Sequence, residues 1–367
     1  MWRNYMRGSN APSIRVLHVP FNTPYARKTI PSGVSLANGM SNVPELATVE
    51  WAASLNNLHQ YDICHVHFFE RTSAPMLSDC LRRCKEHDKR IVATLHDTFP
   101  IHGCDPHEYA KKIQILVEEA DVVVALTAGS AKEIQSHYGT PRSMVRIPLG
   151  CVVSPTDPNW GSGAYLQTPV RFAAFGSMRR NRRIDLLVRA FENLQNDIDS
   201  RLDLLLRPIG TTTKRDLEIV RGYESSRVSL RIQSIISDEE VAEFVAGCSI
   251  LVLPYEWVCH SGQLELAFDM GVGVVAPNAG YLREQWLLSK RFVPRPTFFS
   301  WSTLRTAEER IGVLASGLRH AFEGVQSPRL DHCEDGGEFR EHRRREFATF
   351  LGTYGQIYRG LVGRTSC

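Results

Sequence analysis

The feature that most restricts the fold of this chain is an alternation that runs its course twice. Short β-branched apolar runs are separated by longer segments of helical period, which is the pattern of a parallel sheet covered by helices on both faces. Five such runs occupy the first half: Ile14 to Val19, Ile63 to Phe68, Ile91 to Leu95, Val122 to Leu126 and Val145 to Pro148. Helical stretches such as Ala74 to His87 and Ala128 to His137 lie between them, and right-handed crossovers assemble such runs into one open sheet. After Gly150 the pattern stops, and SPTDPNWGSGAYLQTP has the Pro, Gly and Ser content of an exposed linker. It restarts with Phe172 to Phe175, Leu202 to Leu206, Val228 to Ile232, Ile250 to Leu253 and Gly273 to Ala276. One intervening helix is opened by the capping-box spacing Ser237 to Glu240. The fold class is therefore α/β, with two similar sheets in tandem. A final amphipathic stretch from Glu338 to about Leu361 starts strongly basic and has no strand after it, which leaves it free to cross back to the first domain.

At 367 residues and 43% hydrophobic content, the chain can bury the cores of two domains. The formal net charge of +3 is dispersed rather than gathered into a stripe, so nucleic acid is not an expected partner. The N-terminus has no apolar signal core, and no window approaches the roughly 18 unbroken apolar residues of a membrane span. The expectation is a cytoplasmic protein without a transmembrane segment. Nine cysteines at irregular spacings argue for reduced thiols. Cys80 and Cys84 lie on a predicted helix with no second pair at zinc-ligand spacing.

Doubly wound sheets bind ligands beyond the carboxyl ends of their strands, so the strand-to-helix loops are where chemistry is expected. In the second half, FGSMRRNRRIDLLVRAF packs Arg179, Arg180, Arg182 and Arg183 between a strand end and a helix start. The helix dipole disfavours each of these cations by a few tenths of a kcal/mol, about 0.3 or more. A bound anion offsets that cost, and a diphosphate matches guanidinium forks; a solvated surface run is the alternative reading. After the fourth strand, LVLPYEWVCHSGQLELAFDMGVGVVAP places Glu256 at the strand exit. Ser261 can cap a helix that begins near Gly262 and carries Glu265 one turn in. Such a helix end turns free N–H groups toward a phosphate, and a nearby carboxylate can take two ribose hydroxyls. An exposed helical acid is the other reading of Glu265.

In the first half, ATLHDTFP sets His96 and Asp97 at a strand end. His65 and His67 share one face of HVHFF; two alternate histidines could bind metal, but the sequence supplies no third ligand at a fitting distance. The first strand opens into PFNTPYARKTIPSGV, which holds Asn22, Tyr25, Arg27, Lys28 and Gly33.

These loops resemble the signature regions of the retaining GT-B glycosyltransferases of the group 1, family 4 type, and the similarity runs through most of the chain. The resemblance implies a GT-B architecture, two Rossmann-like domains with parallel sheets facing an interdomain cleft. It divides the chain into an acceptor-side domain (1–153), a linker (154–170), a nucleotide-sugar domain (171–335) and a C-terminal helix crossing back (336–367). It implies that a sugar moves from a nucleoside-diphosphate sugar to a hydroxyl acceptor with retention of configuration. No metal and no cofactor beyond the nucleotide sugar, itself a co-substrate, would be needed. The acceptor, whether a small molecule, a glycan or a lipid-linked group, is not implied.

Carried over by position, Gly176 matches the family's phosphate-loop glycine, Ser177 stands where an arginine is usual, and Arg182 replaces a lysine. Arg179 or Arg180 would supply the missing contact. The family's two glutamates lie eight residues apart, whereas Glu256, near the transferred sugar, and Glu265, at the ribose, are nine apart. One extra residue reconciles the spacing, with His260, Ser261 and Gly262 near the phosphates. His96 matches a Thr-x-His-Asp histidine that approaches the donor sugar and the reacting centre. Gly33 matches a glycine loop near the donor phosphates, and Asn22, Tyr25, Arg27 and His67 would face the acceptor.

Two strings are set aside. Gly271, Gly273 and Ala276 form a GxGxxA whose order, helix before strand, reverses that of a dinucleotide loop, so Gly271 reads as a helix stop. Asp197 and Asp199 fall in a helix-to-strand turn rather than directly after a buried strand, where a metal-chelating pair is expected. A sugar-nucleotide epimerase or phosphorylase, and a non-catalytic nucleotide-binding scaffold, are the alternative functions.

Overall fold

The structure is a computed structural model and describes residues 14–19, 31, 33–36, 55–70, 72–100, 105–153, 160–161, 168–194, 198–210, 212–289, 295–301, 303–326 and 336–363. These form two compact units. The first takes the described residues within Met1–Pro100, Cys104–Leu149 and Arg345–Cys367, and the second those of Gly150–Arg344.

The first unit contains β1 (Ile14–Val19), β2 (Val34–Leu36), β3 (Ile63–Val66), α1 (Ala74–Glu86), β4 (Arg90–Leu95), α2 (Pro106–Glu119), β5 (Val122–Ala125), α3 (Ala128–His137) and β6 (Met144–Arg146). Its strands form one sheet, all parallel, in the order β2-β1-β3-β4-β5-β6. Both faces are buried, because the two-residue period of each strand sends alternate side chains to opposite sides. Leu17, Cys64, Ala93 and Val123 pack with Leu77 and Leu81 of α1 and Ile113 and Leu116 of α2. Val16, Ile63, Val92 and Val124 pack with Phe350, Tyr354 and Tyr358, which are spaced four residues apart on the last helix.

The second unit contains β7 (Val170–Ser177), α4 (Ile184–Glu192), β8 (Ser200–Arg207), α5 (Lys214–Arg221), β9 (Val228–Ile232), α6 (Asp238–Ala246), β10 (Ile250–Val252), α7 (Gly262–Met270), β11 (Gly273–Pro277), α8 (Leu282–Ser289), β12 (Thr297–Phe299) and α9 (Ala307–Gln326); α10 (Gly336–Gly363) begins here. Its sheet is again parallel, in the order β12-β11-β10-β7-β8-β9. Local signals read from sequence are realised. Ser237 and Glu240 close a reciprocal capping box on α6, and Gly271 ends α7 in the left-handed region at φ 70°.

The structure corrects the sequence reading at the sheet edges. β2 and β12, three residues each, were not among the expected runs, and β3 ends at Val66 rather than Phe68. The described cysteines Cys64, Cys80, Cys84, Cys151, Cys248 and Cys259 are buried and form no disulfide. Cys80 and Cys84 belong to the core around Cys64, and burial pushes the Cys80 thiol up to about 12. Among the described residues no helix is long and apolar enough to cross a membrane.

Candidate functional site

In each sheet one point is singled out by topology. Successive strands wind away from β7 on one side and from β10 on the other, so the helices leave a crevice beyond the carboxyl ends of these two strands; β1 and β3 mark the equivalent point in the first sheet.

At the end of β7, Gly176 adopts φ 106°, and a Cβ there would overlap Arg182 Nη1 and lie 3.0 Å from Gln263 Nε2. Glycine thus lets a guanidinium lie flat against the strand. Arg182 is buried, and its Nη1 donates to the carbonyls of Phe175 (2.9 Å) and Ser177 (3.1 Å). Its Nη2 donates to the Tyr255 hydroxyl at 3.2 Å, with the tyrosine ring 5.3 Å away in cation–π contact. The buried Arg182 Nε–H has no hydrogen-bond partner among the described residues. Gln263, in the first turn of α7, donates to the Phe175 carbonyl (2.8 Å) and accepts from Tyr255 (3.0 Å), which ties the α7 start to the β7 end.

Arg207 is the residue that sequence reasoning missed here. It pairs in register with Ser177 across β8 and β7, and its Nη2 donates to the Ser177 hydroxyl at 2.9 Å. The guanidinium absent at position 177 is therefore present beside it, on the neighbouring strand. Arg180 is exposed and Arg179 half-buried in the same loop. Arg183 is committed elsewhere, to Asp185 through Nε and Nη2 (2.9 and 2.7 Å) and to Glu256 through Nη1 (2.6 Å).

Glu256 is held from two sides, since Arg310 of α9 also donates to both its oxygens at 2.9 and 3.1 Å. Ser261 caps α7 by accepting from Leu264 N–H at 3.3 Å. It is itself locked by Gln285, which accepts from its N–H and donates to its carbonyl, both at 2.9 Å. Gln285 also donates to Glu265 Oε1 at 2.8 Å. Glu265 is not an exposed helical acid: it is buried, and its Oε2 lies 2.8 Å from Arg343 Nη2. Arg343 in turn pairs through Nε and Nη2 with Asp269 Oδ1 at 2.9 and 2.7 Å. The other Asp269 oxygen accepts from Val152 and Val153 N–H. His260 and Gly262 flank this network half-buried.

At the corresponding point of the first sheet stand four buried histidines, His18, His65, His67 and His96. The sequence reading saw no third imidazole beside His65 and His67, but β1 and β3 run in register and bring His18 opposite His65. His18 Nδ1 lies 2.7 Å from His67 Nε2, and His67 Nδ1 lies 3.5 Å from His96 Nε2. His65 is turned away from this line, its nitrogens meeting Thr94 Oγ1 at 2.8 Å and Tyr358 OH at 2.7 Å. The ligand atoms of His18, His65 and His67 are close enough to hold a metal ion. Both nitrogens of His65 already lie at hydrogen-bond distance from Thr94 and Tyr358, and its ring packs against His67 at 3.9 Å between centroids. Burial lowers the His18 pKa to about 3 and those of His65 and His67 well below the ordinary value; neighbouring imidazoles push His65 and His67 further. Phe68 stacks on His96 at 4.4 Å. Gly33 adopts φ 80° just before β2. Asn22, Tyr25, Arg27, Lys28 and Asp197 lie outside the described residues.

Residues 13–154 match the family model described as Glycosyltransferase Family 4. That match covers less than half of the chain, and the described architecture as a whole is that of a GT-B fold. The whole described architecture is similar to that of sucrose-phosphate synthase from Thermosynechococcus elongatus (TM-score 0.67, 14% identity, covering 96% of this chain and 100% of that one). It is similar also to Anabaena HepE in complex with UDP (TM-score 0.62, 14% identity, 95% and 100%). A third resemblance is to the catalytic domain of starch synthase IV from Arabidopsis thaliana bound to ADP and acarbose (TM-score 0.58, 13% identity, 86% and 77%). No curated protein matches by sequence. Within this GT-B fold, the β7 and β10 ends and the histidine cluster are places among the described residues where buried polar side chains gather at a switch point.

Proposed function

We propose that the protein transfers a sugar from a nucleoside-diphosphate sugar to a hydroxyl acceptor with retention of configuration, and that the second unit binds the donor. The observation that carries this reading is the β7 end. There Gly176 admits the Arg182 guanidinium, Arg207 replaces the arginine missing at 177, and α7 opens toward the same loop. Two proteins of similar fold were solved with UDP or ADP.

As the bond from the anomeric carbon to the diphosphate breaks, negative charge grows on the leaving group. Arg182, Arg207 and Arg179 or Arg180, with the first amides of α7 beyond Ser261, would stabilise that charge without a metal. The unpartnered Nε–H of Arg182 is a donor with no other use in the described structure. Glu256, fixed between Arg183 and Arg310, would accept from hydroxyls of the transferred sugar. Glu265 acts from beneath, by orienting Gln285 and with it the capped start of α7 toward the nucleotide. The free thiols suit a reducing cytoplasm.

Replacing Arg182 by alanine is expected to lower turnover about a hundredfold to a thousandfold, the usual loss for one preorganised donor at a developing charge. Steady-state assay at saturating donor, on protein shown by circular dichroism to be folded, checks this; near-normal turnover removes Arg182 from the diphosphate site. A donor-only product assay distinguishes transfer from epimerisation, which needs no hydroxyl acceptor.

A further inference from the structure

A parallel sheet with helices on both sides is apolar on both faces. One face of the second sheet departs from this. Strand register sets Arg171 of β7 beside Arg201 of β8, Asp203 beside Ser229 of β9, and Leu205 beside Arg231. The two-residue period puts all of these on one side. Phe244 and Val245 of α6 pack there over Ala173, Phe175 and Leu205. What α6 leaves open is a cavity of about 280 Å³, walled by Arg171, Arg201, Arg227 and Arg231 around Asp203 and Phe244.

Among the described lining residues, four guanidinium groups meet one carboxylate. Asp203 is buried and already engaged: its Oδ2 accepts from Arg171 Nε at 2.8 Å and Nη2 at 2.6 Å, and lies 3.5 Å from Arg201 Nε. Arg227 donates to the carbonyls of Ser200 and Leu194 at 3.4 and 3.3 Å and to the Ser200 hydroxyl at 3.2 Å. The Arg231 guanidinium lies over the Phe244 ring, 5.2 Å from its centroid. Neutral oxygens and an aromatic face hold a guanidinium in place without cancelling its charge. Charged side chains on an edge strand also guard it against pairing with another chain, which accounts for Arg231 on β9. They are not needed for that purpose on β7 and β8, each of which has a strand on both sides. Like charges gathered on a half-buried sheet face repel one another, and a bound anion offsets that repulsion.

We propose that this cavity is a second anion site, which takes the phosphate group of a small soluble phosphate ester. Guanidinium forks match phosphate oxygens bidentately. The volume lies just below the range of about 300–1,000 Å³ usual for drug-sized ligands, which suits a ligand smaller than a nucleotide sugar. Arg171 is the second residue of β7 and Ser177 the last, about 20 Å apart along the strand at roughly 3.3 Å per residue. The cavity and the Arg182–Arg207 cluster therefore belong to opposite ends of the same strands, and a ligand in one leaves the other open.

The experiment is isothermal titration calorimetry of glycerol phosphate into the full chain at pH 7 and constant ionic strength. Binding at one site is expected, weakened about tenfold or more when Arg201→Gln and Arg231→Gln are combined, because charge-assisted hydrogen bonds are lost. Both arginines are exposed, so the double variant should fold. Ser229→Glu, which brings a second carboxylate to an exposed position of the same cavity, should abolish binding independently. Arg182→Ala should leave it intact. Absence of binding at millimolar ligand, or equal affinity in the wild type, the double variant and Ser229→Glu, overturns the proposal. Loss of binding in Arg182→Ala overturns it too, by placing the phosphate at the β7 end. Retention on vesicles containing phosphatidic acid, without binding of the soluble ester, would make the cavity a membrane contact and equally overturn it.

Discussion

Between pH 7 and pH 5.5 the folded protein is expected to lose stability through three buried histidines, His18 alone contributing about 1 kcal/mol and His65 and His67 adding losses of the same sign. Burial lowers the His18 pKa to about 3 and those of His65 and His67 well below the ordinary value. In the unfolded chain all three return to about 6.5. Below that pH the unfolded state takes up protons that the folded state refuses, so stability falls as pH falls, by about 1.4 kcal/mol per unit for each group. For His18 this continues until its folded value near 3 is reached, and His65 and His67 act in the same direction. Asp62, Asp216 and Glu309, whose carboxyls are held below their ordinary values, contribute losses of the same sign only below about pH 4. The window from 6.5 to 4.5 therefore belongs to the histidines. Urea denaturation at pH 7, 6 and 5.5 should show the midpoint falling steeply with little change in slope; a flat midpoint would mean that these rings are protonated in the native state.

Truncating Arg343 is expected to be the most damaging single substitution in the second unit, at about 3–5 kcal/mol. Its guanidinium is buried against Asp269 and Glu265, two carboxylates that are themselves buried. Desolvation pushes Asp269 up, and Arg343 and the Val152 and Val153 amides oppose that shift. With alanine at 343 both carboxylates lose their cation inside the protein, an uncompensated burial that exceeds the cost of removing an exposed pair. Through Glu265 the damage reaches Gln285 and Ser261, so donor affinity should weaken as well. Combining Arg343→Ala with Asp269→Asn and Glu265→Gln should recover part of the stability. A single-variant loss below 1 kcal/mol in urea denaturation would show that water reaches this network.

The fold was legible wherever the signal was local. The apolar runs, the Ser237–Glu240 box and the Gly271 stop each depend on residues within a few positions of one another. β2 and β12 were not legible, because three residues carry no period. The same division holds for the site. Gly176, Arg182, Ser261 and Glu256 could be singled out because each sits at a strand end or between that strand and the next helix. Arg207, Arg310, Gln285, Arg343 and His18 were missed because only strand register or helix packing brings them in. His18 meets His67 across 49 positions and Arg343 meets Asp269 across 74. Burial likewise changed the reading of Glu265, whose place on a helix reveals nothing of a partner on α10.

A metal-free nucleotide-diphosphate site at the β7 end is tested most directly by thermal unfolding with UDP, GDP, ADP and TDP, each with and without EDTA. A ligand at about 100 times its dissociation constant adds roughly 2.7 kcal/mol of stability. One nucleotide is expected to raise the unfolding temperature selectively, with the shift intact in EDTA and abolished by Arg182→Ala. A shift that requires divalent metal, or no shift with any of the four, would contradict it.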